Sequence, residues 1–339
     1  MRRFTRWTLA AAMCALSGAA SANLTLAGSW NGNVGLSVDG IGSNASPTGD
    51  VQAVIPVGAT ILQAYLYSAG TPFPWYADSP TTLAAYNAAG ITLAGNAITN
   101  FDTLMGATST RADIGQWYTA RADVTSVVQA LAAGAVTDNF SWSVSEGSLS
   151  NRIDGEVLAI VYSHASLPMG SVALLNGGQN TGGETSIVNL GTPLTDPTAA
   201  GFAAQLGLGI SFSCCGQQST VEINGSGLTT TAGNFNDGLA SADGSLITVG
   251  GLGDDPGNNV GYASDDELYD LRPFLATGDM SFSIFTQNPT NDDNIFFASL
   301  YLTGDITDVR PAIPEPETYA LMLAGLGVMA MVARRRRAR

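Results

Sequence analysis

Lysine is absent from this chain of 339 residues, and all 13 of its basic residues are arginines. Eight of these arginines lie within the first six and the last six residues. Residues 23–313 therefore hold five arginines against 26 of the 28 acidic residues, which gives this part of the chain a net charge of −21. A surface with this much negative charge repels the phosphates of nucleic acids, so the composition excludes a nucleic-acid-binding protein.

Histidine is almost absent as well. His164 is the single histidine, which excludes zinc sites built from several histidines and leaves one candidate base for a serine nucleophile. Because no G-x-S-x-G motif accompanies it, we interpret His164 as a polar residue at a strand edge or in a loop, and we expect no enzymatic activity. A glycoside-active enzyme stays an alternative, since pairs such as Asp154 and Glu156 offer the two carboxyl groups that this chemistry needs.

The first 22 residues have the pattern of an export signal. Three arginines at the start precede an apolar run from Trp7 to Leu16, and small residues follow up to Ala20-Ser21-Ala22. This pattern predicts a signal-peptide helix over residues 1–22 that signal peptidase removes, so that the mature chain begins at Asn23. The apolar run is too short for a retained membrane-spanning helix.

Cysteine is scarce, and Cys14 leaves with the signal peptide. The two that remain, Cys214 and Cys215, are adjacent in the chain. In an oxidising compartment they are candidates for a disulfide with each other. Their Cα atoms are about 3.8 Å apart, below the usual disulfide range of about 4.4–6.8 Å, so such a ring is strained. The alternative is two buried, reduced cysteines on opposite faces of a strand.

Between the two ends of the chain, alternating patterns and runs of Val, Ile, Phe and Tyr dominate. They predict an all-β fold, an antiparallel β-sandwich or jelly roll. Only two helices are predicted in this part, over Asp123–Gly134 and Thr198–Leu206. The predicted strands are Ile61–Ser68, Gly90–Leu93, Phe140–Val144, Glu156–Tyr162, Ser171–Leu175, Leu208–Ser213, Thr220–Ile223, Leu246–Val249, Met280–Thr286 and Ile295–Leu302.

A weak internal repeat divides this region. A small-residue turn between strands, a helix-like segment, a strand, an acidic loop and an apolar strand follow one another twice, ending at Tyr162 and at Leu302. The repeat predicts two related β-sandwich units, at residues 51–165 and 170–305, after an N-terminal segment at residues 23–50. The alternative is that the two stretches are unrelated and share only the order of short strands and turns that β-sandwiches have in general.

Many acidic residues are concentrated in loops rich in glycine and asparagine. Calcium prefers six to eight oxygen ligands on such flexible loops, which makes Ca²⁺ the one candidate cofactor. The alternative is that Asp and Asn occur there because they favour turn geometry. The candidate ligands are Asp254, Asp255, Asp265, Asp266, Asp292 and Asp293.

Two pairs of adjacent aromatic residues are candidates for sugar contact. They are Trp75 with Tyr76, and Trp117 with Tyr118. Exposed rings beside carboxylates and amides suit sugar binding. The alternative is that these rings close the end of a sandwich core.

The C-terminal end has three parts. Pro314-Glu315-Pro316 is followed by 15 uncharged, mostly apolar residues from Tyr319 to Ala333, and then by four arginines. The apolar segment is marginally short for a hydrocarbon core of about 30 Å, and the arginines stay on the cytoplasmic side of the membrane. The pattern predicts a C-terminal transmembrane helix with the preceding chain outside. An ordinary tail anchor is the alternative.

This three-part end, at residues 313–339, resembles the PEP-CTERM sorting signal of exosortase substrates. The resemblance implies a Gram-negative bacterium, transient anchoring in the inner membrane, processing by an exosortase (a membrane cysteine transpeptidase) and release to the cell surface or an exopolysaccharide matrix. Pro314, Glu315 and Pro316 then form the recognition motif and have no catalytic role.

We therefore predict an exported cell-surface or extracellular-matrix protein with a structural or adhesive role in an exopolysaccharide or biofilm layer. Its expected partners are signal peptidase and exosortase during export, the membrane before processing, and exopolysaccharide afterwards. A carbohydrate-binding module with structural calcium is the first alternative, and the glycoside-active enzyme is the second.

Overall fold

A computed structural model of the protein describes residues 23–42, 48–70, 82–108, 116–149, 153, 155–211, 219–232, 248–249, 268–290 and 294–312. Nearly all regular structure in these residues is β-strand, which confirms the all-β prediction, and each predicted strand overlaps an observed one. The strands are β1 Thr25–Gly32, β2 Val34–Gly42, β3 Thr48–Val54, β4 Thr60–Gly70, β5 Thr92–Leu93, β6 Asn96–Ala97, β7 Phe101–Thr108, β8 Gln116–Asp123, β9 Asn139–Ser145, β10 Gly155–Ser163, β11 Gly170–Asn176, β12 Glu184–Leu190, β13 Ala204–Ser211, β14 Ser219–Ile223, β15 Ser226–Ala232, β16 Thr248–Val249, β17 Leu268–Asp270, β18 Ser281–Gln287, β19 Asn294–Leu302 and β20 Ile306–Pro311. The helices are α1 Leu83–Ala88 and α2 Thr125–Ala132, with 3₁₀ turns at Gly147–Leu149 and Arg272–Phe274.

The strands form four sheets in two sandwiches. In the first sandwich, inner sheet 1 has the order β2-β10-β4-β8-β7 and faces outer sheet 1, with the order β3-β9-β5-β6. In the second, inner sheet 2 has the order β1-β11-β19-β13-β16, with β17 also paired to β13, and faces outer sheet 2, with the order β15-β14-β18-β12-β20. The pairing is antiparallel throughout the described strands except between β13 and β16.

The two inner sheets also stack on each other, so they are covered on both faces. Strands β10, β11 and β19 are buried along almost their whole length, whereas burial alternates along β9 and β18 in the outer sheets. A strand that is buried on both faces needs apolar side chains at successive positions, which explains the near-continuous apolar runs of β10 and β19. The rings of Tyr67 and Phe297 meet across this junction, with their centroids 5.0 Å apart.

Arg121 links the two inner sheets. Its guanidinium group lies 4.7 Å from the ring centroid of Tyr65 and donates a hydrogen bond of 3.2 Å to Oδ1 of Asn176 in β11. One of its nitrogens is 3.9 Å from Oδ1 of Asp102. Burial raises the pKa of the nearby Tyr67 phenol, so this ring stays neutral beside the arginine. Arg121, one of only five arginines in residues 23–313, therefore supports the contact between the two sandwiches.

The same pairing scheme occurs in both sandwiches. Strand β10 lies between β2 and β4, as β19 lies between β11 and β13, and β9 lies between β3 and β5, as β18 lies between β12 and β14. Helix α2 precedes β9, and the 3₁₀ turn at Arg272–Phe274 precedes β18. Residues 23–50 supply an edge strand to each inner sheet, β1 to the second and β2 to the first. The residue bounds of two separate units stay a prediction.

One of the two predicted body helices is confirmed and the other is wrong. Helix α2 lies within Asp123–Gly134, and the carboxylate of Asp123 accepts the N–H of Thr125 at 2.9 Å. The segment predicted as a helix at residues 198–206 instead forms turns followed by β13. The strand is favoured at the end of this segment because Ala204 and Leu206 pair with Leu302 and Leu300 of β19 and are buried in the second core.

Candidate functional site

Several connections of both sandwiches leave from one end of the molecule, which the two inner sheets share. Gly155 pairs with Gly42 and Ala69 in inner sheet 1, and Ser211 pairs with Asn294 in inner sheet 2. The two sandwiches share this direction because only six residues join the end of β10 to the start of β11, at the opposite end. We call the first end the loop end, defined by Gly42, Gly70, Ser145, Gly155, Asn176, Ser211, Gln287 and Asn294. We call the other the turn end, defined by Asn33, residues 56–59, Gly134, residues 164–169 and Asn224-Gly225.

Most of the candidate residues predicted from the sequence lie outside the described residues. Strand β4 before Trp75, strands β13 and β14 around Cys214, and strands β18 and β19 around Asp292 end or begin at the loop end, and so does β16 before Asp254. Strand β17, which follows Asp266, begins instead beside Gly207 in the middle of β13. The residues concerned are Trp75, Tyr76, Asp154, Cys214, Cys215, Asp254, Asp255, Asp265, Asp266, Asp292 and Asp293, and the tail residues Pro314, Glu315 and Pro316.

The second aromatic pair lies at the start of β8, at the loop end. Trp117 is wholly buried. Tyr118 pairs with Gly70 in β4, and partial burial raises the pKa of its phenol. The burial of Trp117 favours a role in closing the core over a sugar contact, because no face of its ring is open to a ligand.

His164 lies at the turn end, away from the loop end. Its Nδ1 is 2.6 Å from the hydroxyl oxygen of Ser166, and the same nitrogen accepts the Ser166 N–H at 3.3 Å. Both contacts are made within one tight turn. A histidine oriented for general-base catalysis needs a carboxylate hydrogen-bonded to its ring. In the part of the chain that the structure describes, no carboxylate hydrogen-bonds to His164.

A buried carboxyl group lies inside the first sandwich at the loop end. Glu156 in β10 is wholly buried and shares its strand face with Leu158 and Ile160 of the first core. The hydroxyl of Ser68 donates to its Oε1 at 3.3 Å, and its Oε2 has no hydrogen-bond partner among the described residues. Burial raises the pKa of Glu156 from its ordinary value of 4.5 to about 8, so the side chain is largely protonated at neutral pH. Glu146, directly after β9, is buried at the same end.

A second carboxyl group joins the start of the described chain to the second sandwich. Glu184, the first residue of β12, accepts the N–H of Leu24 at 3.1 Å and the N–H of Asn180 at 2.9 Å. Burial raises the pKa of this carboxyl group against the opposing effect of the two hydrogen bonds. A side chain at Gly177 would overlap the carbonyl oxygen of Asn23, so glycine is required where the N-terminal segment docks.

Buried amide and hydroxyl groups lie at the loop end of the second sandwich. The hydroxyl of Ser219 donates to Oε1 of Gln179 at 3.4 Å, and the Gln179 N–H donates to the carbonyl of Ile295 at 2.9 Å. Because such groups are buried, they are closed to a ligand that approaches from solvent. Sequence reasoning missed them because they form no motif; the only signal is polar residues at strand ends. The buried members are Asn176, Gln179, Ser211, Ser219, Asn288 and Asn294.

The described surface offers few positive charges. Arg272 contacts Asp270 at 2.7 Å, and Arg310 contacts Asp308 at 3.7 Å. With Arg121 beside Asp102, every arginine among the described residues has an acidic neighbour. The same residues contain no group of three or more His, Cys, Asp and Glu side chains able to hold a metal ion. Nor do they include a helix both long and apolar enough to cross a membrane.

Both ends of the described chain lie at the loop end. Strand β20 runs antiparallel to β12, from Ile306 beside Leu190 to Pro311 beside Ser186. The last described residue, Ala312, donates its N–H to the carbonyl of Thr185 at 2.6 Å. Asn23 lies beside Gly177, just beyond the end of β11.

Comparison with known families identifies the segment that follows. The family described as the PEP-CTERM protein-sorting motif matches residues 312–337. The chain therefore carries this motif directly after β20, as the resemblance predicted. No curated protein and no solved structure matches the chain.

Proposed function

From the PEP-CTERM sorting motif, we propose that the protein is a substrate of an exosortase in a Gram-negative bacterium. Signal peptidase removes residues 1–22, the apolar segment at residues 319–333 anchors the chain in the inner membrane, and exosortase recognises Pro314, Glu315 and Pro316. The released body then has a structural or adhesive role in the exopolysaccharide or biofilm layer at the cell surface. The observation that carries the proposal is the match at residues 312–337.

The position of the motif relative to the fold supports processing without unfolding. The matched segment begins at Ala312, the residue whose N–H makes the final hydrogen bond to outer sheet 2. The residues that exosortase would read therefore come after the last described residue of outer sheet 2 in the chain. We propose that the two sandwiches are related units, because the same pairing scheme occurs in both.

The charge of the body supports a matrix role that depends on divalent cations. Residues 23–313 have a net charge of −21, and each arginine among the described residues already has an acidic neighbour. Like-charged bodies repel one another, so contact between copies, or with an anionic polysaccharide, needs cations to reduce the repulsion.

We expect Ca²⁺ to raise the melting temperature of the released body by several degrees relative to the same protein with chelator. Without a bound cation the neighbouring carboxylates of the acidic segments repel one another. An ion that binds the folded state stabilises that state by mass action. The measurement is thermal unfolding with Ca²⁺, with Mg²⁺ and with chelator. The double variant Asp292→Asn and Asp293→Asn should lose part of the Ca²⁺ effect, while the control Asp50→Asn on β3 should keep it. Identical melting with Ca²⁺ and with chelator would reject calcium binding.

A carbohydrate-binding module is the second candidate, and the adjacent rings of Trp75 and Tyr76, between Pro74 and Asp78 in the sequence, favour it. We expect Trp75→Ala to abolish binding on a glycan array, because stacking on an aromatic ring supplies much of the contact with a sugar. Trp30→Ala, on the edge strand β1, is the matched control and should bind as the unchanged protein does. Absence of saccharide binding by the unchanged protein, together with self-association, would leave the structural role alone. We propose no enzymatic activity, and turnover of a glycoside that Glu156→Gln abolishes would contradict this.

A further inference from the structure

The predicted start of the mature chain is built into the second sandwich. Leu24 is buried and belongs to the second core. The carbonyl oxygen of Asn23 lies so close to Gly177 that a side chain there would overlap it. Thr25 pairs with Asn176, and its hydroxyl donates to the Asn176 carbonyl at 3.1 Å. The fold therefore fixes where the backbone of Asn23 lies.

A buried carboxyl group lies beside this start. Oε1 of Glu184 accepts the Leu24 N–H at 3.1 Å. Because consecutive backbone nitrogens are at most about 3.7 Å apart, the nitrogen of Asn23 is within about 7 Å of this oxygen. Oε2 accepts the Asn180 N–H at 2.9 Å, so both oxygens of the carboxyl group are held in place. Glu184 also lines a cavity of about 20 Å³, whose other lining residues are apolar or carry hydroxyl groups.

Other charged groups on the surrounding strands face elsewhere or make another contact. Arg121 of β8 hydrogen-bonds to Asn176 of β11. Arg310 of β20 and Glu222 of β14 pair with odd-numbered residues of β12 and β18, whereas Glu184 and its partner on β18 are even-numbered. They therefore lie on the opposite face of outer sheet 2. Strands β1, β11, β13, β18 and β19 contain no charged residue.

Removal of the signal peptide changes the chemistry of the Asn23 nitrogen. While Ala22 is attached, this nitrogen belongs to a neutral amide. After cleavage it is a primary amine, which is largely protonated at pH 7. Burial raises the pKa of the Glu184 carboxyl group, and a positive charge beside it favours the ionised form. The N–H donors of Leu24 and Asn180 are present in both forms, and only the cut chain adds an ammonium group.

We propose that Glu184 is the binding site for the mature N-terminus, and that its carboxylate forms an ion pair with the α-ammonium group of Asn23 once the signal peptide is removed. The inference rests on the proposed function, because it needs signal peptidase to cut between Ala22 and Asn23. The ion pair joins the start of the chain, next to edge strand β1, to outer sheet 2. The mature protein thus has a contact that the precursor lacks.

The absence of lysine makes this amine directly measurable. Once residues 1–22 are removed, the α-amino group is the only primary aliphatic amine of the protein, so an amine-acylating dye labels this group alone. The released protein is isolated from cells that contain the exosortase, and its rate of labelling is measured between pH 6 and pH 10. Because only the neutral amine reacts, the midpoint of the pH dependence reports the protonation of the α-amino group.

Two variants remove the ion pair by different routes. Glu184→Gln keeps an oxygen for the Leu24 N–H but has no charge. In the second variant, Gly-Ser-Gly is inserted between Ala22 and Asn23, so the amine of the mature chain lies three residues further away. We expect the midpoint of the unchanged protein to lie at least one pH unit above that of either variant, with labelling about tenfold slower at pH 7. Glu222→Gln is the matched control and should label as the unchanged protein does.

Three results would overturn the inference. They are equal midpoints in the unchanged protein and the insertion variant, a midpoint in Glu184→Gln as high as in the unchanged protein, and slower labelling at every pH without a shifted midpoint, which burial of the amine alone would cause. The intact mass of the same sample shows where the chain begins. A start other than Asn23 would contradict the proposed cleavage and the ion pair together, whereas a start at Asn23 with equal midpoints would contradict the ion pair alone.

Discussion

Replacing Pro314 and Pro316 by alanine should leave the protein uncut in the inner membrane and reduce the released form at least tenfold. The two prolines hold the segment before the apolar run extended, which suits a protease cleft. Alanine at both positions, with glutamate between them, removes this restriction and favours helix within the recognition motif. The measurement is an immunoblot of membrane and released fractions from cells that contain the exosortase.

A matched control separates the motif from proline loss in general. Pro168 and Pro193 are exposed in the described body, and the double variant Pro168→Ala and Pro193→Ala should be processed and released normally. Normal release of the Pro314→Ala and Pro316→Ala variant would show that the match at residues 312–337 does not direct processing.

Glu156→Gln should raise the free energy of unfolding at pH 8 by several kcal/mol and flatten its dependence on pH. Burial raises the pKa of Glu156 to about 8 in the folded protein, against 4.5 ordinarily. Between these two values the folded state binds a proton that the unfolded state releases. The free energy of unfolding is therefore highest, as far as Glu156 is concerned, below pH 4.5. It falls as the pH rises to 8, in total by about 1.4 kcal/mol per unit of pKa shift. Glutamine is neutral at every pH and keeps an oxygen for the hydroxyl of Ser68.

Urea unfolding at pH 5, 6, 7 and 8 measures this effect. The raised pKa of Glu184 acts in the same direction, so the variant should keep a smaller slope. Glu222→Gln, on β14 at the surface of outer sheet 2, is the control and should follow the unchanged protein at each pH. Equal stability of the unchanged protein at pH 5 and pH 8 would show that burial does not raise the pKa of Glu156.

Strands with strong apolar runs could be predicted from the sequence, and several strands of mixed composition could not. The runs at Glu156–Tyr162 and Ile295–Leu302 leave no polar face, so they belong in a core whatever surrounds them. Strands β1 and β20 were missed because small and polar residues interrupt their apolar pattern and solvent covers part of each. Their conformation depends on pairing with β11 and β12, which no local pattern reports.

The stacking of the inner sheets and the state of Glu156 also depend on tertiary structure. A continuous apolar run shows that a strand is buried, but it does not identify the sheet that covers its second face. Glu156 has the same local pattern whether its strand end is open to water or closed by outer sheet 1. The helix predicted at residues 198–206 failed for a related reason, because pairing with β19 selects a strand at Ala204–Leu206. The sorting motif was predicted correctly because its signal is one contiguous segment of the sequence.

Intact-mass measurement of the protein recovered outside the cell tests whether both ends are removed during export and sorting. We expect a chain that starts at Asn23 and lacks the apolar segment at residues 319–333 with its terminal arginines. A soluble chain of all 339 residues in the cytosol, with both ends uncut, would contradict it.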